Sequence, residues 1–170
     1  MPTANPTTPN LWPKYSSRLS GAWKCISFEQ RHAQTHDLLT KPHGDTPLGR
    51  VLISPQGFLS AHVANPQRLA QPLPSGKAWQ TGGDAEVAHV ARGLSMYCGY
   101  MEVYEDEAGL WWRTKVEVSS DPARMGGYEV RRVELIQEGG REVMVLRPER
   151  DMVLEDGTKA RGELKWVRFE

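Results

Sequence analysis

The sequence predicts an all-β domain, an antiparallel up-and-down barrel of about eight strands with one short helix. Three observations carry this. Runs of alternating residues recur along the chain, beginning at GAWKCISFE (21–29). Short turn signals separate them: SPQG at 54–57, EDEAG at 105–109 and EGGR at 138–141. The resulting hairpins are consecutive, so they form a meander, and closing a long meander removes its two exposed edges. No internal repeat points instead to a propeller or solenoid.

The elements follow in order. Residues 1–14 are rich in Pro, Thr and Asn and read as a disordered or loosely packed tail; residues 15–170 form the domain. Residues 15–19 suit one helical turn. In 22–29, Trp23, Cys25 and Ser27 share one face, with Lys24, Ile26 and Phe28 on the other. A polar loop, 30–47, carries His32, His36 and His43, read as solvated. Strands at 48–54 and 58–64 make a hairpin around SPQG. Six Pro and Gly residues in 65–83, among them Pro66, Pro72 and Gly82, break regular structure. In 84–93, Asp84 can cap and Ala85, Ala88 and Ala91 favour a helix of about two to three turns. Strands then follow at 94–105, 110–119, 128–137, 142–148 and 163–169.

Composition narrows function. Lys plus Arg and Asp plus Glu are both 21, for zero net charge, which argues against a nucleic-acid partner. No apolar run approaches the ~18 residues a membrane helix needs. The N-terminus lacks the charged and apolar regions of a signal peptide, and the two cysteines, Cys25 and Cys98, make no disulfide framework. The expected setting is the cytoplasm, with both thiols as packing residues. No phosphate loop, dinucleotide fingerprint, zinc motif or nucleophile elbow occurs, so neither a cofactor nor a metal is expected.

Four stretches together resemble a known family. GAWKCISFE, PLGRVLISPQGFLSAHV (47–63), VEVSSDPARMGGYEVRRVEL (116–135) and the terminal ELKWVRFE are similar in order and spacing to the lipocalin-like domain family of bacterial and fungal proteins, from about residue 19 to 169. The resemblance implies a lipocalin-like barrel with Trp23 and Trp166 as closure residues at its base and a cation, Arg168 or Arg161, stacked nearby. It also implies, from relatives in fungal secondary-metabolite pathways, cofactor-free isomerases or cyclases acting inside the barrel. The family often carries a His-His pair just before its VEVS stretch. Here those positions are Thr114 and Lys115, so a mechanism resting on such histidines does not transfer.

Candidate residues follow from strand parity. Phe58, Ser60 and His62 share a face: outward they are wall surface, inward they surround a ligand. Glu117 and Arg132 face each other across a ladder if register allows. Outside, they are a surface ion pair; inside, Glu117 can move a proton and Arg132 can hold an enolate or carboxylate. Tyr97 points with Met101 and Val103, opposite to Tyr100 and Tyr104. The expected activity is isomerisation or cyclisation of a small, mostly apolar metabolite by acid/base catalysis. His62, Glu117, Arg132 and Tyr97 are the catalytic candidates; Phe58, Ser60, Tyr100, Trp112 and Arg147 are the ligand-binding ones. The alternative is a carrier using the same cavity without chemistry. The tail and the Pro-rich segment 65–83 are candidates to dress a homodimer interface or a lid.

Overall fold

The computed structural model of the chain describes residues 8–69, 71–154 and 156–170. Ten strands form one antiparallel sheet: β1 (Gly21–His32), β2 (Leu38–Thr40), β3 (Leu48–Ile53), β4 (Phe58–Ala64), β5 (Leu94–Asp106), β6 (Gly109–Ser119), β7 (Tyr128–Glu138), β8 (Arg141–Pro148), β9 (Met152–Val153) and β10 (Lys159–Arg168). Pairing of β1 with β10, Trp23 opposite Arg168 through His32 opposite Ala160, closes it. The short β2 and β9 are appendages on β1 and β10, leaving eight strands in the wall. Eight strands enclose a space that side chains fill or that holds one small ligand.

The turns are where local chemistry puts them. In the β3–β4 hairpin Ser54 N donates to Phe58 O (2.9 Å), and Gly57 takes φ 85°, a left-handed conformation open to glycine without a Cβ penalty. Gly49 answers a different need. A Cβ there would lie 3.2 Å from the Trp166 ring and closer still to the Cys25 Cβ, so β3 packs this close to Cys25 and Trp166 only without a side chain.

The segment preceding β1 is packed against the barrel base. α1 (Trp12–Leu19) buries Trp12 and Leu19. Trp12 Nε1 donates to Pro55 O (3.0 Å), and Leu11 N donates to Val103 O (2.8 Å). Residues 10–14, expected in the tail, are thus part of the base; residues 1–7 lie outside the described residues. Trp23 is fully buried there, its Nε1 donating to Leu19 O (3.0 Å), with the Arg168 guanidinium 4.3 Å from its ring. Arg168 also donates to the Ser20 and Arg18 carbonyls at the end of α1, joining the last strand to the first helix.

The opposite end carries the longer connections. That between β4 and β5 contains α2 (Pro66–Leu69) and α3 (Asp84–Ala91), so the expected helix at 84–93 is present, with α2 beside it in the same connection. No helix among the described residues is long and apolar enough to cross a membrane.

Candidate functional site: the barrel lumen

Register decides which side chains face inward. On β4, Leu59, Ala61 and Val63 are buried, which puts Phe58, Ser60 and His62 on the outer wall. This corrects their expected placement round a ligand: the apolar residues of the strand claim the core side. Ser60 Oγ and His62 Nε2 lie 2.9 Å apart on that outer surface. On β5, opposite Ala61 sits Tyr97, so Tyr97 faces inward with Met101 and Val103, as parity predicts, and Tyr100 faces out, 55% exposed.

Two bulges break simple parity. One between Cys25 and Ser27 reverses the faces of β1, bringing Phe28 to the cavity side, where alternation alone would exclude it. The other lies opposite Cys98 and Gly99 and leaves Glu117 as an exposed extra residue. Glu117 therefore does not meet Arg132, whose partner across the ladder is Trp111. Arg132 belongs to an outer ion-pair belt, with Nη1 2.6 Å from Asp106 and Nε 3.1 Å from Glu149. Arg147 joins the same belt through Glu134 (3.0 Å) and Glu163 (2.8 Å), so it too lies off the lumen.

The charges that do face inward are neighbours of those expected. Trp112, fully buried, pairs with Arg131, and Thr114 with Glu129. Arg124, from the short 3-10 turn Pro122–Arg124, swings back to them. Its Nε lies 2.6 Å from Glu129 Oε1, and Arg131 Nη1 lies 2.8 Å from Glu129 Oε2. Arg124 Nη1 also donates to Ser95 Oγ (3.3 Å), and both guanidiniums lie over the Tyr97 ring, at 4.5 and 6.0 Å. Burial alone would raise the Glu129 carboxyl, but the Arg131 and Arg124 charges outweigh it and hold the group below its usual range. Of the two positions where the resemblance would place histidines, Thr114 faces the lumen with no exposure and Lys115 faces solvent.

Between these groups and the base lies an enclosed cavity of about 100 Å³. Val51, Leu59, Ala61, Leu146 and Leu164 give it apolar walls, Trp166 forms another side, and Ser95, Tyr97 and Arg131 supply polar atoms. Trp166 is thus a lumen residue, one layer in from the base that Trp23 seals. The indole N–H groups of Trp112 and Trp166 and the Thr114 hydroxyl are buried and have no hydrogen-bond partner among the described residues. His43, expected to be solvated, is buried and stacked on the cavity residue Phe28 (5.1 Å between centroids). Burial holds its imidazole below the usual range, opposed in part by a hydrogen bond with the Ala64 backbone.

Sequence reasoning thus placed Tyr97 and Trp112 in the lumen and missed Arg124, Glu129, Arg131 and His43. A signal existed for Arg131: it shares a strand face with Val133 and Leu135.

Curated proteins gave no sequence match. A solved structure of bovine odorant-binding protein, in complex with a selenium-containing odorant, aligns over 99% of this chain and 78% of that one, at 11% identity and a TM-score of 0.36. Residues 20–169 match the lipocalin-like domain family, and the chain belongs to that family.

Proposed function

We propose that the protein binds a small, mostly apolar molecule in the barrel lumen. The enclosed cavity, apolar along its walls and polar at one side, supports this reading above all. At about 100 Å³ it is smaller than the ~300 Å³ at the low end of pockets for drug-sized ligands. It therefore suits a compact guest, or a larger one that displaces Tyr97 and Arg131. Both cysteines are free, which supports a reducing, cytoplasmic setting.

A second reading, cofactor-independent isomerisation or cyclisation, draws support from Tyr97 and Arg131, which face the cavity together and can stabilise an oxyanion. Against it stands Glu129, a lumen carboxylate held ionised between two arginines, which suits fixing charge better than moving a proton. Native mass spectrometry after incubation with small-molecule extract of the host separates the two. Binding predicts one compound enriched unchanged; catalysis predicts its conversion to a product of the same mass. Ala61→Phe, which fills the cavity, should abolish either signal. Enrichment that survives this substitution would place the ligand outside the lumen and refute both.

A further inference from the structure

Among the described residues, one inward-facing charge cluster is unbalanced. Arg124 and Arg131 contribute two positive charges and Glu129 one negative, so the cluster sums to a single positive charge. Their side chains are only 18%, 15% and 19% exposed. Each carboxylate oxygen of Glu129 is engaged by a different arginine, at 2.6 and 2.8 Å. The remaining acceptors found for the pair are neutral: Ser95 Oγ at 3.3 Å and Val130 O at 2.8 Å. A guanidinium carries five N–H donors, so the two present more donors than these acceptors use. The Tyr97 ring offsets part of the charge, since its face attracts cations, but adds no anion. Charge held away from water without a counter-charge is costly, and an incoming anion relieves that cost.

Arg131, Tyr97 and Ser95 all line the cavity whose other walls are apolar. We infer that the lumen ligand is a small carboxylic acid in its anionic form, its carboxylate on Arg131 and Arg124 and its apolar body against Leu59, Leu146 and Trp166. This rests on the lumen-binding reading and adds the charge of the guest. Glu129 becomes a built-in competitor: it pre-orients both guanidiniums and limits affinity by occupying part of their donor set.

The test compares hexanoate, 1-hexanol and hexylamine, three probes sharing one apolar chain, by isothermal titration at neutral pH and low salt. Hexanoate should bind about tenfold or more tighter than hexanol, the scale of a charge-assisted hydrogen bond, and hexylamine weakest. Arg131→Gln and Arg124→Gln should each erode the preference for the acid, whereas Glu129→Gln should enlarge it. That opposite sign is what a merely structural role for the cluster would not give. Saturable binding of hexanol as tight as that of hexanoate overturns the inference and leaves lumen binding standing. Failure of all three probes to bind overturns the lumen reading, and the inference with it.

Discussion

Replacing Glu129 by Gln removes the one carboxylate between Arg124 and Arg131. Removing one partner of a fully buried ion pair costs about 3–5 kcal/mol, because the remaining charge stays desolvated and unpaired. The three side chains retain 15–19% exposure, so solvent screening brings the expected cost to about 2–3 kcal/mol. With a urea m-value of about 2–3 kcal/mol/M, the unfolding midpoint should fall by roughly 1 M. The five tryptophans at Trp12, Trp23, Trp111, Trp112 and Trp166 are buried and report the transition. The pH dependence gives an independent sign. The Glu129 carboxyl sits lower in the folded protein than its ordinary 4.5, so its stabilisation is present above pH 4.5 and is lost as pH falls below it. The parent should weaken across that acid range by more than the variant does. A midpoint change equivalent to under ~0.5 kcal/mol, as for an exposed pair, or an unchanged acid limb would refute the placement of this cluster inside the wall.

Three further outcomes follow. Gly49→Ala introduces a Cβ against Cys25 and Trp166, and overpacking of about 1–3 kcal/mol should lower Tm by several degrees in a circular-dichroism melt; an unchanged Tm contradicts the close packing at Gly49. Burial pushes the Cys25 thiol up to about 12, whereas Cys98 is only half-buried, so a thiol reagent at pH 8 should label Cys98 in the native protein and Cys25 only after denaturation; equal rates would contradict this. His43 should titrate below its ordinary 6.5 by NMR. Its contribution to stability is present above 6.5 and is lost as pH falls through the folded value, so a midpoint at or above 6.5 contradicts its burial against Phe28.

The hairpins were legible because turns are local. Pro55 and Gly57, or Gly139 and Gly140, mark reversals whatever the rest of the chain does, and alternation between them fixes strands. Barrel closure was legible from the cost of leaving edges open. The site was less so, because it depends on which face of each strand turns inward, and that is set by long-range register. Trp111 and Trp112 are adjacent indoles, and Arg131 and Arg132 adjacent guanidiniums; one of each pair faces the lumen and the other the outer wall. Nothing in WWR or VRRV taken alone says which. The bulge after Cys25 reverses Phe28 for the same reason: one extra residue inverts every position beyond it. His43 sits in a loop without periodicity, so its burial had no local signal.

A guest that enters the lumen must come against Trp166, and the indole N–H resonances of a ¹⁵N-labelled sample report it. Trp166 lines the cavity with an unpartnered N–H, while Trp79 is 43% exposed on the connection between β4 and β5. Titration with hexanoate should move the Trp166 resonance progressively to saturation and leave that of Trp79 in place. A Trp166 resonance that stays fixed, while shifts appear at outer-wall residues such as Ser60, His62 and Cys98, would place the guest outside the lumen.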